Sequence, residues 1–222
     1  MLLSEKFLLM LLDEYKGKRY SAVQATKDLG LAGAMILDLY FKGKLAIYRK
    51  RLRILDYNTC GDPYLDMILV FLNSSKKPQK LKRWVEKLSR FFKQYYTSFF
   101  RRLENNGFLI SEIKTILRIF KAQRFYLAKP EVKQSLLEQI KNVLIYDMNP
   151  GIELLSLLSL MKACRLIKVY FIRKYRKYVK RRIKELLHSS YYAPETREMI
   201  LSVIKAIEDI IISRSTAAVA PF

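Results

Sequence analysis

Across residues 79–105 the chain runs without a single glycine or proline, and only Asn106-Gly107 interrupts it. A stretch of that length with nothing to end it reads as one long helix. Breakers are scarce elsewhere too. Seven Gly and six Pro in 222 residues supply too few turns for a fold of many short strands, while 51% hydrophobic residues suffice for a packed core. The expected fold class is mainly α, a single compact multi-helix domain over residues 1–213 with a projecting β-hairpin. Residues 214–222 are expected to form a flexible tail.

Local signals place the other elements. Ser4 is positioned to cap a helix carrying Phe7, Leu8, Met10 and Leu11, and Tyr15-Lys16-Gly17-Lys18 reads as a turn. A second helix starts near Ser21. Gly30, Gly33 and Ala34 on it leave little side chain between backbones, so another element should pack closely there, and Gly43 ends it. Residues 44–55 alternate apolar and basic side chains, as a short hairpin does. Asp62 or Pro63 opens a helix holding Leu65, Ile68, Leu69 and Phe71. Residues 108–127, rich in Ile and Phe, read as a second hairpin turning near Lys121-Ala122-Gln123. Helices are expected over 130–143, 152–170, 174–188 and 194–213.

Several function classes are excluded early. Cys60 and Cys164 are too few for a disulfide framework and have no metal-binding spacing, so both read as reduced, buried thiols. The longest apolar stretch, residues 152–161, contains Glu153 and stops at Lys162, well short of the ~20 residues a crossing helix needs. Glu5 and Lys6 interrupt the apolar N-terminus, which has no basic leader and no small-residue cleavage site. The lone histidine, His188, sits at a helix end, where its cation suits the helix dipole. Asp13-Glu14 and Glu208-Asp209 are neighbours that point apart on a helix. No Gly-rich phosphate loop, nucleophile motif or metal motif occurs. The chain is therefore expected to be non-enzymatic, with no cofactor and no metal.

Charge is the positive signal. Forty-two Lys and Arg against 20 Asp and Glu give a net charge of +22. Self-repulsion of that size opposes compaction and draws polyanions. One basic cluster runs from Lys76 to Arg102, with Glu86 its only acid. A second runs from Lys162 to Lys184 with no acid at all. Aromatic residues interleave with both, although Tyr95, Phe99 and Tyr178 also read as packing residues. The partner is then an anionic membrane face, with nucleic acid as the principal alternative and an acidic protein as a third. Against nucleic acid, no base-reading helix and no known nucleic-acid motif is present.

The order of several segments resembles the Golgi phosphoprotein 3 family. The likeness runs through LSEKFLLMLLDEYKGK (3–18), LGLAGAMILDLYFKGKL (29–45), DPYLDMIL (62–69), Trp84 in RWVEKLS, RLENNGFL (ending at Leu109) and LAKPEVKQSLLEQI (127–140). The resemblance implies a mostly α-helical domain with a projecting hairpin used for self-association. It further implies a peripheral membrane protein that binds phosphatidylinositol 4-phosphate in a basic pocket. Its place would be cytoplasmic, on the Golgi face if the source is eukaryotic. Eukaryotic members use a disordered N-terminal extension to hold glycosyltransferases, whereas this chain opens on the first helix, so cargo binding is not expected to carry over. The family's pocket Trp and Arg fall on Val23 and Ala32, and its two Arg one helical turn apart fall on Lys93 and Tyr96.

Combining that likeness with the charge pattern, the expected lipid-binding or phosphate-binding residues are Lys93, Arg90, Lys27, Arg19 and Tyr96. If these do not bind, residues 174–184 are the next place to look. For self-association the expected residues are Ile116, Ile119, Phe120 and Phe125 of the hairpin, too apolar for a free ribbon. The alternative is that this ribbon folds back on the core.

Overall fold

The computed structural model describes residues 1–75, 77–116 and 120–217, with only the backbone of Ile116. In chain order the elements are α1 (Leu3–Leu11), β1 (Leu12–Asp13), β2 (Lys18–Arg19), α2 (Lys27–Phe41), β3 (Leu45–Tyr48), β4 (Arg51–Ile54), α3 (Pro63–Asn73) and α4 (Leu81–Asn105). They continue with β5 (Leu109–Ile116), β6 (Phe120–Leu127), α5 (Pro130–Ile145), α6 (Ile152–Ala163), α7 (Ile167–Tyr170), α8 (Arg176–His188) and α9 (Pro194–Ala217). Strands pair only as three antiparallel two-stranded ribbons among the described residues, so the fold is mainly α.

Helix α2 is apolar around its whole circumference, which suits a helix buried on every side. Leu29, Leu31, Met35, Ile36, Leu37 and Leu39 are all at most 1% exposed. It packs on α1, α4, α6 and α9. The expected close approach occurs at its glycines. A Cβ at Gly30 would run into the Phe7 ring and the Cys164 sulfur, and one at Gly33 would lie 2.9 Å from both Val203 and Ile207.

Helix ends follow local chemistry where glycine marks them. Gly43 (φ 71°) and Gly107 (φ 72°) are left-handed, and each motif returns two backbone N–H groups to the last turn. Asp62 caps α3 by accepting the amides of Tyr64 and Leu65 at 3.1 Å. At α1 the sequence expectation fails. Ser4 lies inside the helix and is buried, and the cap residue is Leu2. The free amides of Leu3 and Ser4 are instead met by Asp38 of α2, and that of Leu2 by Glu5. The expected helix over 152–170 is also broken. Arg165 takes a positive φ of 66° and ends α6 with the bonding pattern seen at Gly43 and Gly107.

Two cations, one half-buried and one buried, tie the layers together. Arg102 of α4 donates Nε to Glu5 at 2.9 Å and forks onto the Asp62 carboxylate, joining the starts of α1 and α3. Lys133 of α5, 1% exposed, donates to the Leu12 carbonyl at 2.8 Å and lies 5.6 and 5.7 Å from the centres of the Tyr20 and Tyr170 rings.

The β5–β6 ribbon runs from Leu109↔Leu127 to Ile116↔Phe120. Lys121, Ala122 and Gln123 therefore lie inside β6 rather than at its turn. The base of the ribbon is buried through Leu109 and Phe125, whereas Ile113 and Phe120 stand exposed further out, so the ribbon projects. Helix α9 extends to Ala217, past the expected start of the tail.

Candidate functional site

The first group expected from the sequence is partly assembled. Arg19, at the end of β2, and Lys27, at the start of α2, converge on Tyr96 of α4. The Arg19 guanidinium carbon lies 4.7 Å and the Lys27 Nζ 4.6 Å from the centre of that ring. Cations over an aromatic face are held by its quadrupole, more strongly where water is excluded. Lys27 is also paired with Asp28 at 2.9 Å and is largely covered. Tyr96 itself is a correction. It is buried, packs on Phe100, and its hydroxyl has no hydrogen-bond partner among the described residues. Burial raises its pKa well above the ordinary tyrosine value. The ring is a floor for two cations and is not available to touch a lipid. Arg90 is turned to Glu86 at 2.7 Å, and Lys93 stands exposed one turn before Tyr96 with no ion pair among the described residues.

A denser site lies on α8. Val179, Ile183, Leu186 and Leu187 form its buried face at helical spacing. Three side chains fasten it to its neighbours. Arg176 donates to the carbonyls of Lys168 and Phe171 at 2.8 Å, Tyr178 to that of Leu144 at 2.8 Å, and Arg182 pairs with Asp147 at 3.2 Å. The remaining cations face outward. Lys174, Lys177, Lys180, Arg181 and Lys184, with Lys162 from α6 and the Tyr178 ring, line a surface cleft of about 660 Å³.

Inside that cleft Lys162 lies 3.7 Å from Glu208 and Arg181 3.5 Å from Glu185, while the four other lysines make no ion pair among the described residues. Three of them sit at or just before the first turns of α8, where the helix dipole is already positive. Like charges gathered at that end raise the local potential, and an anion relieves it. A smaller basic surface is formed by Arg51, Lys80, Lys82 and Arg83.

The sequence is matched over residues 3–203 by the model of the Golgi phosphoprotein 3 (GPP34) family. The chain belongs to that family. No curated protein matches it.

In this member of the Golgi phosphoprotein 3 family, the two positions where the likeness places a pocket Trp and Arg are internal. Val23 and Ala32 are both fully buried. Small apolar side chains there belong to the core and offer nothing to a headgroup. The α8 lysines lacked a motif; dense basic spacing without acids was the only sequence signal for them, and which cations stay free emerges only from their partners. Among the hairpin residues, Phe120 is exposed. Phe125 is a correction, being buried 5.1 Å from the Phe100 ring as the ribbon's anchor. Ile119 and the side chain of Ile116 lie outside the described residues. No cluster of His, Cys, Asp and Glu able to hold a metal occurs among the described residues, and no helix there is long and apolar enough to cross a membrane.

Proposed function

We propose that this protein is a non-enzymatic peripheral membrane protein that binds anionic phospholipid through the basic face of α8. The observation that carries this reading is the cleft in which six cations converge and four lysines are left, among the described residues, without an acidic partner. Each basic side chain near an anionic leaflet contributes roughly 1 kcal/mol. Four free lysines therefore supply about 4 kcal/mol, close to millimolar affinity before any other contact is counted. Family membership favours a phosphoinositide, with phosphatidylinositol 4-phosphate as the finer expectation. The lining is lysine-rich, and lysine binds phosphate as a point charge where arginine would fork onto two oxygens. Recognition here accordingly follows headgroup charge more than headgroup shape. The site of action is the cytoplasmic surface of a membrane.

Flotation with vesicles tests the reading. The protein is expected to float with vesicles containing phosphatidylinositol 4-phosphate or phosphatidylserine and to remain behind with neutral phosphatidylcholine. A duplex DNA arm at matched phosphate concentration measures the nucleic-acid alternative. Flotation independent of lipid charge, or tighter binding to DNA than to anionic vesicles, would end the proposal.

A further inference from the structure

Beside the lysine cleft, and separated from it by the Tyr178 ring, an apolar groove opens between the end of α5 and the start of α8. Its volume is about 610 Å³, and it is lined by Leu144, Ile145, Phe171, Tyr175, Tyr178 and Val179. Leu144 and Val179 form a dry floor at 2% exposure. The Tyr178 hydroxyl is spent on the Leu144 carbonyl at 2.8 Å, so its ring, not its polar end, is offered to the groove. Ile145 is 58% exposed and Tyr175 51%. Beyond the groove, Tyr146, Met148 and Ile172 stand open to water as well. Contiguous apolar surface of this kind on a highly charged protein marks a contact surface.

Charge decides the occupant. Lys168, Arg173, Lys174 and Lys177 are exposed around this end of the molecule, and the nearby Asp147 carboxylate is already held by Arg182. A second copy of the chain would bring an identical cationic rim against this one. Self-pairing across the groove is therefore opposed by like charge. An anionic phospholipid carries a phosphate at one end and hydrocarbon at the other, which matches a lysine cleft adjoining an apolar groove. We infer that the groove between α5 and α8 takes an acyl chain of an anionic phospholipid whose phosphate lies among the α8 lysines. This rests on the proposed lipid-binding function and adds that binding has a hydrophobic component, resistant to salt, at a defined place.

The test uses vesicles of phosphatidylcholine and phosphatidylserine, with and without bromine on the acyl chains, and a Tyr175→Trp variant. The native Trp84 is 3% exposed and serves as an internal reference that bromine should not reach. Quenching of the introduced indole by brominated chains, beyond any change in the wild-type protein, is the expected result. In a second arm, Ile145→Gln and Tyr175→Gln replace half-exposed apolar side chains with uncharged polar ones, so the fold and the net charge are retained. Together they are expected to lower vesicle affinity about tenfold at about 0.15 M salt while leaving its salt dependence unchanged.

Three outcomes overturn the inference. In the first, the protein binds anionic vesicles but the introduced indole is unquenched and the glutamine variants bind normally; the groove idea then falls while the lysine surface stands. In the second, no binding to anionic vesicles occurs at all, and both fall. In the third, the emission of the Tyr175→Trp variant shifts with protein concentration in the absence of lipid, and the groove belongs to a second copy.

Discussion

The carboxylate of Asp38, near the end of α2, accepts the backbone N–H of Leu3 at 2.8 Å and thereby caps a helix 35 residues away in sequence. Its second oxygen accepts the Ser4 amide at 3.0 Å. Burial pushes its pKa up from 3.8 to about 6, against the hydrogen bonds from Ser4 and Leu3, with nearby Glu5 adding to the rise. A carboxyl whose native pKa lies above its unfolded value stabilises the fold fully below the unfolded value and loses that contribution as pH rises through the native one. This group should therefore reduce stability by about 3 kcal/mol between about pH 4 and about pH 7. Urea midpoints measured across that range for wild type and Asp38→Asn check it. The asparagine variant should show a flatter profile, and a lower plateau at acid pH because its amide oxygen serves one backbone donor well and its NH₂ serves none.

Arg102 should be the costliest polar side chain to remove. It is mostly covered and neutralises both Glu5 and Asp62. Truncation to alanine leaves two covered carboxylates without their cation, for a loss of about 3–5 kcal/mol. Arg102→Lys should recover only part, because an ammonium cannot fork onto Asp62 and reach Glu5 at once. Denaturant unfolding of the three proteins gives the comparison.

Gly33→Ala should destabilise by about 1–3 kcal/mol through overpacking against Val203, Ile207 and Leu160. Pairing it with Ile207→Val opens space and should return part of the loss. A calorimetric melt of single and double variants would read that coupling directly.

Arg165 offers the opposite case. It occupies a left-handed position (φ 66°) that glycine fills at the ends of α2 and α4. Arg165→Gly should therefore raise stability by about 0.5–1 kcal/mol, seen as a higher melting temperature. An unchanged melt would mean that the arginine's side chain compensates for its backbone.

Charge reversal separates the two basic sites. Lys174→Glu with Lys177→Glu should weaken binding to anionic vesicles by at least about tenfold and flatten its salt dependence. Lys93→Glu with Arg90→Glu should do less, since Arg90 is already engaged by Glu86. The reverse ranking by sedimentation would move the lipid site to α4.

Much of this architecture was legible because it is governed by interactions a few residues apart. The stretch ending at Gly107, the Asp62-Pro63 start of α3, the stop at Gly43 and the short alternating ribbon of β3 and β4 all follow from backbone hydrogen bonding and glycine's freedom at positive φ. Even the crowding at Gly30 and Gly33 showed in the sequence, although not which helices cause it. Where the signal was absent, so was the reading. Arg165 breaks a helix without a glycine to announce it, and the β5–β6 register puts Lys121, Ala122 and Gln123 within a strand because burying Leu109 and Phe125 outweighs any turn preference there.

By itself, then, the sequence determined a helical fold, its main breaks, and a large excess of positive charge. Tertiary structure alone decided which cations are left free. Arg102 and Arg182 are consumed by carboxylates from distant segments, Tyr96 is covered, and the α8 lysines are left open beside an apolar groove. Pairing and burial depend on which groups meet in space, and at these positions the partners lie on other elements of the chain, beyond the reach of local sequence pattern.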